Sequence, residues 1–158
     1  MSVPVPEPVA RVKHALTVLG ARATVRVFDA KVPTAAAAAA ALGCDVAAIT
    51  NSLVFDLGGT PLLILASGAA KVDVDKVAEQ LGTGRIRRAS PGFVLAHTGQ
   101  EVGGVAPVGH PQMIRTLLDE SLAAHELLWA GAGDHHSMFS ITYKELHRIT
   151  GAKEMPVR

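Results

Sequence analysis

The stretch Gly103-Gly104-Val105-Ala106-Pro107-Val108-Gly109 packs three glycines and a proline into seven residues. It resists both helix and central strand. Glycine costs about 0.5–1 kcal/mol relative to alanine inside a regular element, and proline removes a backbone donor. What such a bend does well is bring bare main-chain N–H groups close to a ligand, with proline keeping it rigid. Donors of that kind suit an oxyanion or a carbonyl oxygen. The plainer reading is a tight connection between two elements, since glycine and proline are first of all turn residues.

Other residues capable of chemistry are scattered. His135 and His136 follow Asp134. Adjacent residues on a strand point to opposite faces and no third ligand stands at a metal-binding spacing, so no metal is expected. His97 and His110 bracket the glycine loop, and imidazole titrates near neutrality, but nothing in the sequence fixes their partners. Arg85, Arg87 and Arg88 are the densest basic cluster, with Arg85 and Arg87 on one face by alternation. They suit either nucleic-acid phosphates or a strand edge guarded by charge. Cys44, the single cysteine, excludes an intrachain disulfide and has no evident base partner, so it reads as a small core residue. Ser67 and Ser137 lack a G-x-S-x-G context, which argues against a serine hydrolase.

The totals describe a compact, apolar chain. Of 158 residues, 49% are hydrophobic and 18% charged, and the mean hydropathy is +0.30. This length suits one domain, and the composition excludes disorder. A net charge of +1 advertises no nucleic-acid binder through a global field, so such a partner needs a local basic patch. The apolar run Ala35 to Leu42 is too short to span a bilayer, and the start of the chain does not read as a signal peptide. A soluble cytoplasmic protein is expected.

Residues 1–8 read as a flexible proline-rich lead. Val9, Val12, Leu16 and Leu19 then recur at helical spacing up to Gly20. Thr24 to Phe28 alternates as a strand. Thr34 caps a helix through the alanines to Leu42, stopped by Gly43. Asn51–Leu57 and Pro61–Ala66 flank Gly58-Gly59-Thr60 as a hairpin, whose second arm is apolar on both faces and therefore central. Further helices are expected from Asp73 to Leu81 and from Ser90-Pro91, and strands over Arg85–Arg88, Met113–Leu118, His125–Ala130 and Ser137–Ile141. Thr142 to Glu145 reads as a capping box opening a last helix. The irregular order of elements predicts a single α+β domain on a mixed, strongly curved, barrel-like sheet with flanking helices.

Read together, NSLVF, KVDVDKVAEQLG, S-P-G-F, GGVAPVG, LLWAGAG and YKELHRITGA resemble, in order and spacing, the YbaK-type aminoacyl-tRNA editing domain also found inserted in bacterial prolyl-tRNA synthetases. The similarity spans about residues 25 to 153. It implies the YbaK-like fold and hydrolysis of the ester joining a wrong amino acid to its tRNA, typically alanine or cysteine on the tRNA for proline. Aminoacyl-tRNA is then the expected partner, prolyl-tRNA synthetase a second, and no cofactor is required. Gly103 matches the first glycine of the family's G-x-x-x-P motif and Pro107 its proline. Gly104, Val105, Ala106 and Gly109 would complete the wall beside the aminoacyl group, and His136 would face the substrate from the end of the LLWAGAG strand. In the family the attacking water is held by backbone groups and the tRNA's terminal ribose hydroxyl.

Where the family usually carries lysine followed by Ser or Thr, this chain has Asn51 and Ser52. Asparagine donates a hydrogen bond without charge, and a charge-assisted bond is roughly twice as strong. Asn51 does the work differently, or a nearby basic residue substitutes, or deacylation has been lost. Three functions stay open: an aminoacyl-tRNA deacylase using Asn51 and Gly103, a silent binding module on the same fold, and a small-molecule ester hydrolase.

Overall fold

The computed structural model describes residues 6–69 and 71–158. At its centre lies the expected hairpin. β2 (Ile49–Leu57) pairs antiparallel with β3 (Thr60–Ser67) along its whole length, closed by Gly58 and Gly59. Leu62, Leu63, Ile64 and Leu65 are all fully buried, so β3 is apolar on both faces because both are covered.

The helices follow local rules. α2 (Ala35–Leu42) starts where Thr34 Oγ1 accepts the Ala37 N–H at 3.1 Å. In the same way Asp73 caps α3 (Val74–Leu81), Ser90 caps α4 (Pro91–Thr98) and Thr142 caps α5 (Tyr143–Thr150). All four stop at a glycine in the left-handed region. The Thr142–Glu145 box is only half formed, because the Glu145 carboxylate is used elsewhere. It accepts from the Arg22 N–H at 3.2 Å and pairs with Arg148, whose guanidinium also reaches the Leu19 and Gly20 carbonyls. Those bonds hold Glu145 well below the usual carboxylate range, at about 2.

α1 (Glu7–Val18) begins two residues earlier than expected. Proline in a first helical turn loses no intrahelical bond, so Pro8 belongs to the helix and not to a lead. Residues 1–5 of that expected lead lie outside the described residues. β1 (Thr24–Val27) and β7 (Ser137–Ile141) match their patterns. β4 shrinks to Arg87–Arg88, so Arg85 shares no strand with Arg87. β5 is Arg115–Asp119, and β6 begins only at Leu128 and runs to Gly131. After a 3₁₀ turn over Glu120–Ala124, capped by Asp119 accepting from the Ser121 N–H at 2.9 Å, a bend at Glu126–Leu127 delays β6. An unexpected strand, β8 (Lys153–Met155), joins the edge in parallel with β5.

The sheet runs β1-β7-β6-β2-β3-β5-β8, with β4 on β2, and mixes parallel and antiparallel pairs. It is an α+β fold whose mixed sheet does not close on itself. α1, α4 and α5 cover one face through Val12, Leu16, Val94, Leu146 and Ile149, against Leu63, Leu65 and Phe139. α3 covers the other through Val77, against Leu62, Ile64 and Leu117. No helix among the described residues is long and apolar enough to cross a membrane.

One interruption positions everything functional. On the side away from β3, β2 pairs with β6 only at Ile49–Thr50 and with β4 only at Phe55–Asp56. Between them, Asn51 to Val54 have no strand beside them. The Ile49 carbonyl accepts from the Gly68 N–H at 2.7 Å, on the β3 side. Alternation along the ladder therefore turns the main-chain groups of Ser52 and Val54 into the gap.

Gly68, just past β3, is where α2 and the segment before β2 close on the hairpin. A Cβ there would lie 2.6 Å from the Val46 carbonyl oxygen and 2.8 Å from the Ala35 Cβ. Gly68→Ala is expected to destabilise the protein by about 1–3 kcal/mol, read from the urea-unfolding midpoint.

Candidate functional site: a slot beside the interrupted strand

A cavity of about 630 Å³ opens along the unpaired segment of β2. Asn51 and Ser52 line it, as do Gly103 and Val105 of the glycine loop. Ala35 and Ala38 of α2 form a further wall, with Gly131 and Asp134 at the end of β6. A Cβ on Gly131 would stand 2.9 Å from the Val105 carbonyl oxygen, so only glycine lets strand and loop meet this closely.

The loop is held by side chains where strands would normally hold it. The buried Gln100 amide accepts the Ala106 N–H on Oε1 at 2.6 Å and reaches the Val108 carbonyl from Nε2 at 3.4 Å. His110 Nε2 donates to the Ala106 carbonyl at 2.8 Å, so both polar ends of Ala106 are taken. His135 Nε2 donates to the Val102 carbonyl at 2.9 Å. The Gly104 N–H closes a turn onto the Glu101 carbonyl at 2.9 Å. The N–H groups of Gly103 and Val105 have no hydrogen-bond partner among the described residues. Gly103 sits at φ +88°, in the region that favours glycine.

Sequence reasoning grouped nine residues, and the structure divides them. Asn51, Ser52, Gly103 and Val105 share the cavity wall. Gly104 packs against the Asp134 backbone, where a Cβ would come within 2.9 Å. Ala106 and Pro107 are buried behind the wall, and Gly109 packs against Val12 of α1. His136 is not on the wall: its Nδ1 faces the Phe28 carbonyl at 3.3 Å, and its N–H donates to Asp134 Oδ1. The neighbouring His135 is the ring that touches the loop. Of the other histidines, His97 stacks on Phe93. Burial, with the charge of Asp45, pushes the Cys44 thiol up, away from a nucleophilic thiolate.

Two features went unread in the sequence. Gln100 carried no motif. Nor did Thr50 stand out, yet Thr50 Oγ1 and Ser52 Oγ are buried beside the slot with no partner among the described residues. Buried hydroxyls of this kind are uncommon in a finished core.

Two predictions follow from the clamp. Gln100→Leu leaves the buried Ala106 N–H without an acceptor, so a loss of about 1–3 kcal/mol in urea unfolding is expected, with faster amide exchange at Ala106. Burial pushes His110 below the ordinary histidine value of 6.5, against the bond to Ala106, which raises it. The stability carried by the neutral ring is therefore complete above pH 6.5 and declines as pH falls through the lower folded value. The urea midpoint should drop between about pH 7.5 and about pH 5.5, and drop less in His110→Gln.

Comparison with known proteins identifies the family. A profile of the aminoacyl-tRNA editing domain family matches residues 29–149. An uncharacterized protein of Bacillus subtilis (strain 168), YwhH, is 34% identical over 127 residues, 80% of each chain. Among solved structures, a candidate trans-editing enzyme for prolyl-tRNA synthetase superposes with a TM-score of 0.92 at 35% identity, covering 98% of this chain and 99% of the other. Hypothetical protein APE2540 superposes at 0.86 with 26% identity, covering 93% and 98%. With a profile match over most of its length, this chain belongs to the aminoacyl-tRNA editing domain family.

Proposed function

We propose that this protein removes a mischarged amino acid, alanine or cysteine, from the tRNA for proline, acting in trans as a metal-independent deacylase. The observation that carries the reading is the pair of loop N–H groups, Gly103 and Val105, left without partners on the wall of a cavity. Ester hydrolysis puts negative charge on the former carbonyl oxygen as water adds, and preorganised main-chain donors stabilise that charge without reorganising. The Gln100 and His110 bonds keep the bend stiff, which is what preorganisation requires. Ala35, Ala38 and Val105 give the acyl group a wall of small side chains. The polar edge of β2, with the Ser52 and Thr50 hydroxyls, offers partners for the amino group and the ribose. Water is the nucleophile: its oxygen bonds to the acyl carbon, the ester C–O bond breaks, and the ribose oxygen leaves with a proton.

Asn51 favours a second reading, a binding module that holds the acceptor end without cleaving it. The deciding experiment follows ester loss from alanyl- and cysteinyl-tRNA for proline with the wild-type protein and with Asn51→Lys. Hydrolysis of either substrate by the wild type supports the first reading, and binding without hydrolysis by both proteins supports the second. Gly103→Ala is expected to lower the deacylation rate by about 10²-fold, since a Cβ at that φ displaces the donor. An unchanged rate would rule out Gly103 as the oxyanion donor.

A further inference from the structure

We propose that Lys71 and Arg88 form an anion-binding subsite on the α3 side of the slot, taking a phosphodiester of the single-stranded end of the nucleic acid that carries the ester. The inference rests on the deacylase reading for its choice of anion and deepens it.

The two sides of the slot differ in charge. Arg88 pairs directly with Phe55 across β4 and β2, and paired residues project on one face. Alternation along β2 puts Leu53 and Asn51 on that face too. Ile86, two residues before Arg88, is buried in the α3-side cluster with Phe55, Leu53, Val72 and Val74, which confirms the assignment. Lys71 leads directly into Val72 and lines the same cavity. On the opposite face stand Val54, Val94 and Val105, members of the other core cluster. Both faces carry apolar side chains, and the two cations stand on one of them only.

The charge is local and uncommitted. Lys71 and Arg88 line the cavity, and Asp134 is the one acidic residue of its wall among the described residues. The whole chain carries only +1. Both side chains are exposed, and neither has an ion pair or hydrogen bond among the described residues. Arg11 and Arg148, by contrast, are each tied to a carboxylate on their own helix. An arginine fork and a lysine point charge, brought from separate segments to one opening, are the pair of groups that bind a phosphate oxyanion well. Asn51, on the same face, adds a neutral donor. The positive charge thus enters from β4 and the segment before α3, and not from β2.

The test uses the full chain as wild type, as Lys71→Gln/Arg88→Gln and as Lys153→Gln, which removes a single charge on the distant strand β8. Three quantities are measured: hydrolysis of alanyl-tRNA for proline, hydrolysis of the phosphate-free ester alanyl-adenosine, and binding of an uncharged single-stranded RNA ending in CCA over a range of salt. The double variant should raise KM for the tRNA substrate about tenfold with kcat little changed, and leave alanyl-adenosine within about twofold. Its RNA-binding salt slope should be shallower by about 1–1.5, with Lys153→Gln unchanged. Equal losses on both esters, or RNA binding and salt slope matching those of Lys153→Gln, would overturn the subsite. Should the wild type hydrolyse neither ester, the deacylase reading fails, while the RNA-binding arm still decides the subsite.

Discussion

The structure depends on a strand that is paired completely on one side and incompletely on the other. β2 shares its whole length with β3 yet meets β6 and β4 only at its two ends. Unpaired main-chain groups in a protein interior are costly, so a sheet ordinarily closes such a gap or fills it. Here the gap is tolerated because it opens onto a cavity. The stability of the hairpin comes from elsewhere: β3 is buried on both faces, which fixes β2 in place without needing a second neighbour along its middle.

The loop facing that edge solves a related problem. A segment with three glycines would ordinarily have too much conformational freedom to aim anything. Side-chain bonds from Gln100 and His110 fix carbonyls and one amide on the loop's buried side, and His135 holds the Val102 carbonyl at its exposed edge. The Gly103 and Val105 amides stay without partners on the cavity wall. Rigidity and unsatisfied donors, which usually exclude one another, coexist because the restraints come from behind.

How much of this was legible follows from how local each signal is. Thr34, Asp73, Ser90 and Thr142 cap their own helices three residues on, and the glycine stops act within one turn, so these boundaries could be read from short windows. The hairpin was legible for the same reason. β6 reads too long because Leu127 continues the apolar run Leu128–Ala130, while the bend at Glu126–Leu127 has no glycine or proline to mark it. β8 has only three residues and no pattern of its own. At the site, family resemblance drew attention to Asn51, Ser52 and the glycine loop. It gave no means of telling His135 from His136, which a single turn sends in different directions. Gln100 was silent because its role consists of bonds to residues six and eight positions away in an irregular loop.

The alanine tract of α2 has a consequence of its own. Ala35 and Ala38 contribute only methyl groups to one side of the slot, on a helix whose ends are fixed by Thr34 and Gly43. The breadth of the opening is thus set by side chains that take no part in holding the loop. Exchanging a methyl for a larger group there would recalibrate which acyl chains are admitted, in steps of about 1–3 kcal/mol per methylene, and leave the donors where they are. On the proposed deacylase reading, discrimination and chemistry would sit on separate elements, so selection could adjust one without disturbing the other.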